Sequence, residues 1–163
     1  MRKRKSKKLD LRPTIRIYWN GFVARCAKLN KQDKIYLVFD HDKHTPQELL
    51  ECFDQAKKSR YDITILFSNI CFEVWILMHF EPVTAAYTRK QLFAKLSGEK
   101  YFNEEYSRNK GQKINILCDR ISTAVKNANR NSSPSDESTK IIKKDPYTNV
   151  NLYLKDIFQM EQY

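Results

Sequence analysis

Two carboxylates and two imidazoles crowd into five residues, Asp40-His41-Asp42-Lys43-His44, and a further carboxylate, Glu73, stands inside a nearly apolar run. An Asp-x-Asp pair on a tight turn has two chemical uses. It can present hard oxygens to a cation, or it can stabilise the turn and cap the helix that follows. Glu73 poses a sharper question, because a buried carboxylate is costly unless it is paired or metal-bound. His44 reads either as a turn histidine or as a group orienting a ligand, and His79 either as a core histidine or as its partner in that task.

These residues need elements to position them. Ile35 to Phe39 are five consecutive apolar residues, β-branched or aromatic apart from Leu37. That run predicts a strand buried on both faces, as in a parallel sheet. The acidic cluster then falls at the strand's carboxyl end, where ligands collect in open α/β sheets. Thr45-Pro46-Gln47-Glu48 predicts a helix start, with Thr45 as N-cap, Pro46 in the first turn and Glu48 closing a capping box. The helix runs to about Ser59, with Leu49, Leu50, Phe53 and Ala56 on one face. Asp62 to Phe67 predicts the next strand, completing a βαβ unit, and Ser68-Asn69 reads as a turn. Ile70 to Phe80 predicts a buried helix stopped before Pro82.

The flanks are more polar. Thr14 to Trp19 alternates as a first strand, followed by an Asn20-Gly21 turn and a short helix over 22–30. Beyond Pro82 the pattern predicts helices at Arg89 to Leu96, Gln112 to Asn129 and about Asn149 to Phe158. Asn131 to Thr139 reads as a polar, mobile loop. The organisation expected is a basic arm at 1–11 and one domain at 12–160, with an α/β core to about residue 82 and a helical part from 83 onward.

Composition narrows the classes. The chain has 163 residues, is 41% hydrophobic and carries a net charge of +11, which points to a polyanionic partner. Arg2, Lys3, Arg4, Lys5, Lys7 and Lys8 are candidate nucleic-acid contacts on the arm, set against a plainly solvated tail. No apolar run reaches the length of a membrane span, and residues 1–10 are too charged for a signal peptide. Four cysteines without a Cys-x-x-Cys pair argue against zinc and predict buried thiols in a cytoplasmic protein. Three glycines are too few for a P-loop or dinucleotide fold.

Three stretches carry a family resemblance. Val38-Phe39-Asp40-His41-Asp42-Lys43-His44 resembles the acidic motif of RloB-like proteins. Ser68-Asn69-Ile70-Cys71-Phe72-Glu73, continued through the apolar residues to His79-Phe80, resembles their second signature. Asp145-Pro146-Tyr147-Thr148-Asn149-Val150 is similar to their Asn-Pro-x-Thr-Asn-Val. The resemblance covers about residues 34–158. It implies a Toprim-like parallel sheet flanked by helices, and a nuclease of phage-defence systems working beside an ABC-type ATPase. On that resemblance Asp40, Asp42 and Glu73 are metal ligands and catalytic residues, His44 assists, and the cofactor is Mg²⁺ or Mn²⁺. Magnesium suits such carboxylates, and a pair of ions could serve an in-line displacement at phosphorus.

Two departures open a second class. Family members begin with a strand running into Glu-Gly-x-x-Thr-Glu, whereas Asn20-Gly21-Phe22-Val23 holds no carboxylate and no Glu precedes Glu48. Ile70 also replaces a proline of the second signature. The alternatives are an active metal-dependent nuclease on RNA or DNA and a degenerate subunit that binds nucleic acid or an ATPase without cutting. If the arm touches phosphates, deleting residues 1–8 lowers the log–log salt slope of duplex binding by roughly 0.9 for each phosphate it had neutralised. A salt titration monitored by anisotropy checks this, and an unchanged slope means a solvated tail.

Overall fold

The computed structural model describes residues 34–41, 44–106 and 115–159. The expected arm, first strand and short helix over 22–30 lie outside the described residues. So does Asp42.

Within the described residues the chain is mixed α/β, with a small three-stranded mixed sheet flanked by helices. Strand β1 (Lys34–Asp40) leads into helix α1 (Pro46–Lys58), which returns the chain to β2 (Asp62–Asn69). β1 and β2 pair in parallel, with Lys34 opposite Asp62 and Asp40 opposite Ser68. Helix α1 starts as the sequence predicts. Thr45 Oγ1 accepts from Glu48 N–H, Glu48 Oε2 accepts from Thr45 N–H at 2.8 Å, and Pro46 occupies the first turn. Lys57 and Lys58 close the helix, where cations suit the dipole.

After β2 come α2 (Glu73–Met78), α3 (Arg89–Leu96), α4 (Asn115–Cys118), α5 (Ile121–Ala128), α6 (Ser138–Ile141), strand β3 (Tyr147–Thr148) and α7 (Val150–Phe158). The C-terminal part is thus largely helical, as expected. The single helix expected over 112–129 is instead α4 and α5, separated by a turn at Asp119-Arg120.

Two apolar clusters form the core. One gathers Leu66, Cys71, Val74, Trp75, Leu77, Met78, Leu92 and Leu96 with α5 and α7, and Tyr36 packs against it. The other joins Leu49, Cys52, Ala56, Ile65, Phe67, Ile141 and Tyr147, with Leu37 and Phe39 packed on it. Alternation explains the division, since Tyr36 and Leu66 face α2 while Leu37, Phe39, Ile65 and Phe67 face α1. Burying side chains such as Leu49, Phe67, Leu77 and Leu92 contributes about 1.5–3 kcal/mol each.

Several expectations change. The strand buried on both faces is β2, whose last five residues, Ile65 to Asn69, are all buried. In β1 only Ile35 is buried and Val38 is 59% exposed. The reason is position: among the described residues β1 has β2 alone as a strand neighbour. The sheet is not purely parallel, because β3 joins β2 antiparallel through Ser68–Thr148 and Asn69–Tyr147. Ser68-Asn69 is therefore strand rather than turn. The polar stretch 131–139 is tied down, with Ser133 N–H donating to Asp136 Oδ2, Lys144 ion-paired to Asp136 at 2.8 Å, and Ile141 buried just beyond. Cys52 and Cys71 are buried as expected, but Cys118 is exposed.

One side chain completes the β2–β3 edge. Asn149 is buried; its Oδ1 accepts from Phe67 N–H at 2.7 Å and its Nδ2 donates to Ile65 C=O at 2.9 Å. A two-residue strand cannot satisfy more of β2, so an amide side chain continues the ladder. Asn149→Ala strands both groups and costs about 2–4 kcal/mol in denaturant unfolding.

Candidate functional site

The carboxyl edge of β1 and β2 is where the chemistry-bearing residues meet. Asp40 ends β1 on the same face as Tyr36, the face that carries α2. Its Oδ2 lies 3.3 Å from Arg89 Nη2, with the two side chains 27% and 40% exposed. Arg89 comes from the start of α3, 49 residues away in sequence.

Glu73 is 5% exposed and begins α2. The Cys71 thiol lies close to its carboxylate. Burial pushes that thiol up to about 12, with the Glu73 contact adding to the rise and the Arg89 charge opposing it. Tyr106, also buried here, has its phenol pushed up by burial first and by the Glu73 charge second. Asp40 thus lies on the sheet face that carries α2, the helix Glu73 opens. The costly buried carboxylate has the Cys71 thiol and the Tyr106 phenol in its neighbourhood.

The other residues that stood out in the sequence fall differently. His44 N–H donates to His41 C=O at 3.0 Å, making the turn that leads to Thr45. Glu48 is held below the ordinary carboxylate range by the Thr45 backbone and hydroxyl, with a smaller contribution from His44. The His44 backbone therefore closes the turn before the helix. Asp42 and the basic residues Arg2, Lys3, Arg4, Lys5, Lys7 and Lys8 lie outside the described residues. Trp75 is core, and His79 is a buried histidine whose Nδ1–H donates to Trp75 C=O at 3.0 Å. Among the described residues no three of His, Cys, Asp and Glu gather into a metal-holding group.

Two residues were not singled out by sequence. Arg89 carries no local signal, since its partner is remote. Asp145 lies two residues before Tyr147, which pairs with Asn69 at the end of β2, so it stands beyond the same edge. Burial raises its pKa, opposed by the charge of nearby His41. Its signal was present in the sequence: an Asp where the similar motif has Asn. Of the other acids, Asp62 opens β2 at the opposite end, and Glu81 is ion-paired to Lys95 at 2.7 Å. Among basic residues elsewhere, Lys58 pairs with Asp54 and Arg120 lies over the Phe80 ring at 5.0 Å. No helix among the described residues is long and apolar enough to cross a membrane.

A family model described as RloB-like protein matches residues 3–157 of the chain. No curated protein and no solved structure matches it.

Burial holds the His79 imidazole below its ordinary value, so the folded chain resists a proton that the unfolded chain accepts. Above about pH 6.5 both states are neutral and the group contributes nothing; below it, stability falls with a slope of at most about 1.4 kcal/mol per pH unit. Denaturant midpoints from pH 7.5 to 5 check this, and His79→Gln removes that part of the acid sensitivity.

Proposed function

Because the chain belongs to the RloB-like family, we propose that it is a Toprim-type, metal-dependent nuclease subunit of a phage-defence system. It cuts phosphodiester bonds in RNA or DNA in the cytoplasm, beside an ABC-type ATPase. The observation that carries this reading is that Asp40 ends β1 on the face that carries α2, the helix Glu73 opens just beyond the end of β2. Open α/β sheets bind ligands at this edge, and strand-end acids suit a hard cation there.

The donor chemistry fits Mg²⁺ or Mn²⁺. Such ions take one or two protein carboxylates and complete their shell with water and phosphate oxygens, so a closed protein cage is not required. Asp40, Asp42 and Glu73 are the residues that would hold the ion. When bound it would polarise the phosphodiester and favour ionisation of a water. The chain's own contribution is charge placement: Arg89 compensates the Asp40 carboxylate, and the Cys71 thiol lies beside Glu73. Basic residues, including the arm at Arg2 to Lys8, would supply affinity for the phosphate backbone.

A second reading, the binding subunit that does not cut, has its own support. Asp40 is already countered by Arg89, Asp62 stands at the opposite end of β2, and Glu81 is ion-paired to Lys95, while Asp33 lies outside the described residues. Incubating the purified chain with end-labelled RNA and DNA, in Mg²⁺ or Mn²⁺ and in chelator, separates the two. The nuclease reading expects metal-dependent cleavage. It also expects Asp40→Asn and Glu73→Gln to lose it by more than about 100-fold, since even outer-shell changes cost 10–100-fold. In chelator, the nucleic-acid affinity of Glu73→Gln stays within about twofold, because phosphate contacts come from Lys and Arg. Intact substrate under every metal, with binding retained, leaves the binding subunit.

A further inference from the structure

Arg89 occupies an unfavourable place for a cation. It is the first residue of α3, with Lys90 beside it and no acid in the first turn, where the helix dipole disfavours positive charge. The Thr88–Gln91 capping box forms without it: Gln91 N–H donates to Thr88 Oγ1, and Gln91 Oε1 accepts from Thr88 N–H. The helix start thus does not need an arginine. The guanidinium instead reaches Asp40 across 49 residues of sequence, while staying 40% exposed. One cation therefore pairs with an acid assigned to the metal while its side chain remains part-exposed.

A guanidinium and a divalent cation compete for the same carboxylate, because each is stabilised by its charge and repelled by the other. A displaced arginine next to a nucleic-acid backbone has an obvious new partner, since its planar fork matches phosphate oxygens. We propose that Arg89 is the phosphate-contacting residue of this site. It pairs with Asp40 in the absence of metal and transfers to a backbone phosphate of the nucleic acid when a divalent cation takes Asp40. This rests on the nuclease reading and names the side chain that couples metal binding to substrate binding. Arg89 is the stand-in cation of the acidic edge, so the metal-free chain need not carry Asp40 uncompensated.

The test uses the full chain, Mn²⁺ followed by electron paramagnetic resonance, and labelled single-stranded 12-mer RNA and DNA followed by anisotropy. Arg89→Gln binds Mn²⁺ about tenfold more tightly, because a positive charge beside the ligand is gone. At saturating Mn²⁺ the same variant binds the 12-mer about tenfold more weakly, the worth of a charge-assisted hydrogen bond. Lys90→Gln, one residue on, changes either affinity by less than about twofold, which excludes a general loss of charge. Arg89→Lys decides the matter if the glutamine variant does not fold. It keeps Mn²⁺ affinity within about twofold but loses roughly threefold in 12-mer affinity, because an ammonium lacks the planar fork. Unchanged Mn²⁺ affinity in Arg89→Gln overturns the proposal while leaving the nuclease reading in place. So does unchanged 12-mer affinity in either Arg89 variant. Absence of Mn²⁺ binding by the unmodified chain and by Arg89→Gln overturns the nuclease reading and this inference with it.

Discussion

β2 is the strand that everything else must satisfy. Its last five residues are buried, so each polar group in that stretch needs a partner within the protein. One edge is met by the parallel ladder with β1, in register from Lys34–Asp62 to Asp40–Ser68. Among the described residues the other edge has only the two residues of β3, and Asn149 supplies the rest with its backbone N–H to Phe67 C=O and its side-chain amide to Phe67 and Ile65. Asn69 is anchored similarly, its Nδ2 donating to Lys144 C=O at 2.7 Å. These contacts fix where β2 ends relative to both neighbours. The places of Asp40, Glu73 and Asp145 at one edge follow from that register.

Electrostatics at the edge then follow from placement. Glu73 is buried beside the Cys71 thiol; Asp40 is half-buried and has a guanidinium. A half-exposed pair of this kind contributes no more than about 1 kcal/mol to stability. Its significance is therefore in the charge it sets at the site rather than in holding the fold. The Lys95–Glu81–Lys100 group, with Tyr101 Oη donating to Glu81 at 2.6 Å, illustrates the contrast. It pins the chain after α2 to α3 and the segment beyond.

Local devices were legible in the sequence. The Thr45–Glu48 capping box, the apolar face of α1, the extent of α3 and the apolar run of α2 all rest on spacings within one element. Features that depend on partners far along the chain were not. Two residues, Tyr147 and Thr148, carry no periodicity that would announce a strand. Val38 looks like core by composition, but its exposure depends on whether another strand lies beside β1. Within the site, Asp40 and Glu73 stood out because each is a carboxylate at the end of, or within, an apolar run. Arg89 did not, because an arginine at a helix start is ordinary until its partner is known. The family was legible in three motifs, and the family model extends over those same stretches.

The central claim is that Asp40 belongs to a cation site rather than to the turn that starts α1. Thermal melts of the unmodified chain and of Asp40→Ala, each in Mg²⁺ and in chelator, test it most directly. A cation that binds only the folded state raises its melting temperature in proportion to the logarithm of ligand over dissociation constant. The account predicts that Mg²⁺ raises the melt of the unmodified chain and leaves Asp40→Ala unmoved. A melt indifferent to Mg²⁺ in both proteins, with Asp40→Ala lower throughout, would contradict it.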